Sequence, residues 1–105
     1  MQTTGDRKYT GAVGEDITIE LESTSVNVTS VTSTVNGGAV TVLPITVKVA
    51  KGVHCDVVVD AAFSSAKDGR ADIKTSGSRG GTDHTKIRQL DDETSNAKVY
   101  TVDPA

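Results

Sequence analysis

Apolar residues return at every second position from Ile45 to Phe63. Ile45, Val47 and Val49 alternate with Thr46 and Lys48; past a Lys51-Gly52 turn, Cys55, Val57, Val59, Ala61 and Phe63 alternate mostly with polar residues. A period of two sends successive side chains to opposite faces of a strand, one toward a core and one toward water. About a third of the chain is Val, Ile or Thr, and β-branched side chains, stiff at χ1, suit such a pleated surface.

The same rhythm runs through most of the chain, punctuated by turn residues. Asp6–Thr10 reads as a short charged strand ended by Gly11 and Gly14. Glu15–Glu22 puts Ile17, Ile19 and Leu21 on one face. Ser25–Val35 carries Val26 and Val28, then Val31 and Val35, and this change of parity predicts a β-bulge near Thr29-Ser30. Asn36-Gly37-Gly38 predicts a hairpin, because Asn and Gly tolerate positive φ, with Ala39–Leu43 as its return strand. Pro44 lacks a ladder donor and marks the passage from one sheet into the other. Ile45–Ala50 and Val53–Phe63 are expected to pair as a central hairpin. Ser64–Gly69 is a polar loop closed by Asp68-Gly69. Arg70–Thr75 follows with Ala71 and Ile73 on one parity, and the Gly/Ser-rich stretch 76–83 reads as a flexible loop. His84–Leu90 and Ala97–Asp103 are the last strands, joined by the acidic loop Asp91–Asn96.

No helical period, internal repeat or heptad is present. Evenly spaced strands and turns predict an all-β, antiparallel two-sheet sandwich of seven to nine strands, one domain over residues 1–105 with its ordered core at 6–103. A closed barrel is the alternative; the Pro44 break and uneven strand lengths favour the open sandwich.

Three segments carry a resemblance: Ile-Thr-Val-Lys-Val-Ala-Lys-Gly (45–52) followed by Cys-Asp-Val-Val-Val-Asp (55–60), the turn Asp68-Gly69-Arg70-Ala71, and the closing Ala97-Lys98-Val99-Tyr100-Thr101-Val102. Together with the order of elements, they resemble an immunoglobulin-like β-sandwich of the fibronectin-III or bacterial Ig-like type. The chain departs from the Cys–Trp–Cys core of antibody domains, having no Trp and one Cys. The resemblance implies adhesion, spacing or accessory binding rather than catalysis, within a larger surface, secreted or virion-associated protein.

Composition narrows the function. The formal net charge is −3 with acidic and basic residues interspersed, and the only aromatics are Tyr9, Phe63 and Tyr100. No dense basic cluster interleaved with aromatics is present, so nucleic acid is not an expected partner. No apolar run approaches the ~20 residues of a membrane helix, and the first twelve residues lack the apolar segment of a signal peptide. Cys55 shares the parity of Val57 and Val59 and reads as a small buried hydrophobe.

Few groupings suggest chemistry. His54, Asp56 and Asp60 share one strand face, and with Asp83-His84 they would offer metal ligands if their strands were neighbours, although no His-x-His spacing is present. Asp91-Asp92-Glu93 is an acidic loop without the ligand pattern of a calcium loop. Gly77-Ser78-Arg79-Gly80-Gly81 has the composition of an anion nest but neither Gly-Lys-Ser/Thr nor a following helix. Asn27-Val28-Thr29 fits the glycosylation acceptor pattern. No Gly-x-Ser-x-Gly elbow occurs, and no cofactor is expected.

The expected role is that of a non-catalytic interaction or spacer module. Its partner-binding loop is Ser78, Arg79, Gly80 and Gly81, helped by the edge near Pro44. The partner is a protein of unknown identity, and exposed edge strands offer a route to homo-oligomers. The alternative is a small carbohydrate- or ligand-binding β-module, with Tyr9, Phe63 or Tyr100 as stacking platform. Tyr100 has a second expected role, anchoring its strand with a buried ring and a hydroxyl bonded to backbone.

Overall fold

A computed structural model describes residues 2–64, 68–90 and 93–105, with Gln2 and Thr3 described by their backbone. The strands are β1 (Gln2–Gly11), β2 (Asp16–Thr24), β3 (Val28–Val35), β4 (Thr41–Val42), β5 (Ile45–Lys48), β6 (Cys55–Phe63), β7 (Arg70–Gly77), β8 (Thr82–Arg88) and β9 (Ser95–Pro104). They form a five-stranded sheet, β1-β9-β6-β3-β4, stacked on a four-stranded sheet, β5-β2-β7-β8. The fold is all-β and two-layered, and every strand pair is antiparallel except β1 with β9.

Alternation builds the core as expected. In β6, Cys55, Val57, Val59, Ala61 and Phe63 are all buried while the residues between them are half-buried. Ile17 and Ile19 of β2, Ala71 and Ile73 of β7, Ile87 of β8, and Tyr100 and Val102 of β9 close around them. The bulge in β3 falls where parity changes: Val28 pairs with Phe63 and Ser30 with Ala62, leaving Thr29 as the extra residue. Asn36 and Gly37 both take positive φ, 50° and 72°, and the Gly38 amide donates to Val35 O at 2.9 Å. That turn joins β3 to β4, and the Leu43–Pro44 step carries the chain into the other sheet.

Several expectations are corrected. β5 and β6 do not pair: β5 lies beside β2, while β6 lies between β3 and β9. The Ala50–Val53 turn at Lys51-Gly52 exists, closed by Val53 N to Ala50 O at 3.2 Å, but it passes the chain between layers. β8 and β9, consecutive in the chain, also lie in different sheets. β4 is two residues long rather than five. Val26 lies outside β3 and is fully exposed, and Leu21, the residue before a register shift in β2, is 40% exposed. β1 is longer than Asp6–Thr10 and runs parallel to β9, from Gln2 opposite Asn96 to Gly11 opposite Pro104.

The parallel pairing sets the shape. The molecule measures 42 × 25 × 20 Å. β1 starts at one end of the sandwich and β9 finishes at the other, beside the end of β1.

Candidate functional site

β1 and β8 are each the outer strand of their sheet, and side chains of β1 reach β8 at Asp83. The Tyr9 hydroxyl donates to Asp83 Oδ2 at 2.7 Å, and Arg7 Nε lies 3.4 Å from the same oxygen. These contacts bridge the two layers. Next to them opens a cleft of about 240 Å³ lined by Tyr9, Glu15, Thr75, Gly77, Gly80 and Asp83, among others.

Glu15 forms one wall. It precedes β2 on the same parity as Ile17 and Ile19, so its side chain turns inward, and the residue is 6% exposed. Oε1 accepts the Ala12 amide at 3.0 Å and Oε2 accepts the Arg79 amide at 3.1 Å. Glycine at two neighbouring positions leaves room for this carboxylate. A Cβ at Gly11 would lie 2.9 Å from Oε1, and one at Gly77 would collide with Oε2.

Thr75 lies on the core parity of Ala71 and Ile73, 3% exposed, with its hydroxyl beside the Tyr9 phenol. Burial, and next the bonded Asp83 carboxylate, push the Tyr9 phenol far above its ordinary range; the Thr75 hydroxyl beside it pulls the other way. Behind Tyr9, the Tyr100 ring stacks at 6.3 Å between centroids and 9° between planes. Tyr100 is completely buried, and burial pushes its phenol up to about 12. Its hydroxyl partner is the Thr85 side chain at 2.6 Å, not the expected backbone group.

The expected partner loop, Ser78, Arg79, Gly80 and Gly81, connects β7 to β8 at the rim of this cleft. The strands reach further into the segment than expected, with Thr75 opposite Asp83 and Ser76 opposite Thr82. Ser78 N donates to Asp16 O at 2.9 Å, Ser78 Oγ accepts from Asp16 N at 3.0 Å, and Arg79 N binds Glu15. The nest-like composition is therefore answered from within: the anion at the Arg79 amide is the protein's own carboxylate.

The other candidates are dispersed. His54 bridges two carboxylates, with Nε2 2.9 Å from Asp56 Oδ1 and Nδ1 2.5 Å from Asp103 Oδ1. His84 lies on the other sheet, its Nδ1 3.0 Å from Glu22 Oε1. The proposed union of His54, Asp56 and Asp60 with Asp83-His84 does not form, because β6 and β8 are not neighbours. Of the acidic loop, Asp91 and Asp92 lie outside the described residues. Phe63 and Tyr100 belong to the core, which leaves Tyr9 as the one half-buried aromatic ring.

Glu15 and Thr75 were not singled out from the sequence. The available signal was a polar residue on a core parity: Glu15 continues the Ile17, Ile19 series backward, and Thr75 continues Ala71, Ile73 forward. Lys98 carries the same mark, lying opposite Val59 on the inner face with its ammonium reaching toward Gly5. Burial, and then Arg7 nearby, lower its pKa. In comparisons with protein-family models, curated proteins and solved structures, nothing matched this chain.

Proposed function

We propose that this domain is a non-catalytic, immunoglobulin-like interaction and spacer module of a larger surface, secreted or virion-associated protein. The observation that carries this reading is the parallel pairing of β1 with β9. Parallel terminal strands make the chain enter at one end of a 42 Å body and leave at the other, so modules joined in series extend a polypeptide rather than fold it back. Ten-residue strands at both ends support the same role, because a long backbone ladder resists detachment of either end. Protein partners would engage through the rim at Ser78–Gly81 or along an outer strand.

Small-angle scattering from two copies fused head to tail tests the spacer reading. A largest dimension near twice the 42 Å of one module supports it. A compact, side-by-side pair contradicts it.

A further inference from the structure

We propose that Asn36 is a self-modification site, at which the Gly37 amide nitrogen closes on the Asn36 side-chain carbonyl carbon and converts the residue, through a cyclic imide, into aspartate and isoaspartate. This goes beyond the spacer reading and does not depend on it.

The site is built by the turn that follows β3. Val35 pairs with Val57, and the ladder runs one step further at Asn36. The Asn36 amide donates to Asp56 O at 2.8 Å, and the Asp56 amide donates in return to Asn36 Oδ1, also at 2.8 Å. The side-chain carbonyl thus stands where a backbone carbonyl completes an ordinary antiparallel rung, the backbone of Asn36 having already turned at φ 50°. That donor polarises the carbonyl and faces the oxygen on which negative charge develops during attack. The nucleophile is open as well. Asn36 and Gly37 are both exposed, and a Cβ at Gly37 would meet nothing within 4 Å. Among the described residues, neither the Gly37 amide nor Asn36 Nδ2 is held by a hydrogen bond to an acceptor.

The other two asparagines lack these conditions. Asn27 is 9% exposed, donates from Nδ2 to Gln89 Oε1 and precedes Val28; Asn96 is completely buried and precedes Ala97. A side chain on the following residue hinders the approach of its amide, and burial keeps out the water that finishes the reaction. At Asn36 the bond between Gly37 N and Cγ forms as the bond between Cγ and Nδ2 breaks. The Gly37 proton passes to solvent base, and Nδ2 takes a proton from solvent and leaves as ammonia. Water then opens the ring. Cleavage at the Cγ side gives aspartate, and cleavage at the backbone carbonyl gives isoaspartate, whose main chain runs through Cγ. No oxidant, reductant or cofactor takes part. Isoaspartate adds a methylene to the backbone at the last rung between β3 and β6, and so displaces the oxygen that the Asp56 amide meets. The same turn leads into β4, only two residues long, so the modification loosens that edge of the five-stranded sheet.

The test is incubation of the whole folded chain in mildly alkaline, heavy-oxygen water, followed by peptide mapping with fragmentation that separates aspartate from isoaspartate. The proposal predicts a mass gain confined to the peptide carrying Asn36, one solvent oxygen taken up, and isoaspartate among the products. A parallel incubation in urea gives the unfolded reference, and the folded chain should convert within about tenfold of that rate. Gly37→Ala should slow conversion at least about tenfold, because the reacting nitrogen then belongs to a residue with a Cβ. Gly37 takes φ 72°, so this variant strains the turn; loosening would free Asn36 rather than hold it, and slower conversion therefore reports the nucleophile. A folded chain that stays unmodified while the unfolded chain converts overturns the proposal. So do equal gains at Asn27 or Asn96, aspartate without isoaspartate, or an unchanged rate in Gly37→Ala.

Discussion

The Tyr100 hydroxyl lies 2.6 Å from Thr85 Oγ1, and through this buried contact β9 of one sheet is bonded to β8 of the other. Both residues are on core parity, so the pair is sealed from water. Tyr100→Phe removes the bond and leaves the Thr85 hydroxyl buried without a partner, which should cost about 1–3 kcal/mol. Adding Thr85→Val should recover part of that loss, since both polar groups are then gone. Urea unfolding of the two single variants and the double variant gives the coupling directly. Additive effects would show that the bond does not form.

Gly69 sits where three side chains converge. Its amide donates to Gln89 Oε1 at 3.0 Å, and a Cβ there would collide with the Phe63 ring and lie 2.8 Å from both Asn27 Nδ2 and Gln89 Oε1. Gly69→Ala should therefore destabilise by about 1–3 kcal/mol through overpacking. A matched Gly81→Ala control, with open space around the position and no positive φ, isolates the steric part. Thermal or urea unfolding of both variants provides the check.

How much of this was legible follows from what alternation encodes. It tells which side chain faces the core, and it did so for Cys55 to Phe63 without error. Local backbone chemistry also read correctly at Thr29, Asn36-Gly37 and Pro44, where each signal is contained in a few residues. Alternation says nothing about which strand lies beside which. β5 and β6 are close in sequence and joined by a sound turn, yet they belong to opposite layers. β1 was underestimated because Tyr9 is the one large apolar residue in Gln2–Gly11; its pairing with β9 is a backbone ladder that leaves little trace in hydropathy. The cleft was legible only in its oddities, Glu15 and Thr75 on inward positions. Their convergence follows from the β2–β7 pairing, with Ile17 opposite Gly77 and Ile19 opposite Thr75, which no local pattern records.

His54 should make stability depend on pH. Its hydrogen bond to Asp103 raises its pKa, against a smaller opposing effect of desolvation, with Asp103 and Asp56 charges adding to the rise. A folded pKa above the unfolded value gives stabilisation that is complete below about pH 6.5 and is lost as pH climbs through the folded pKa. Urea midpoints for the parent should thus fall between about pH 6 and pH 8 more steeply than those of His54→Gln. Parallel slopes would contradict the clamp.

Cys55 should behave as a core atom. It is 5% exposed, and burial first, with Asp56 and Asp103 adding to it, raises its thiol pKa. Both effects withhold the reactive thiolate. Reaction with a disulfide reagent should be on the order of a hundredfold slower for the folded chain than in urea, limited by opening of the structure. Equal rates would place Cys55 at the surface.

The relationship on which the module's shape depends is the parallel run of β1 beside β9, and pulsed dipolar spectroscopy measures it most directly. Spin labels at positions 3 and 105, with buried Cys55 left unmodified, should be separated by roughly 25 Å, the rise of the residues between Ala97, opposite Thr3, and Ala105. A distance below about 15 Å would mean that both ends of the chain emerge together, and that β1 is not the parallel partner of β9.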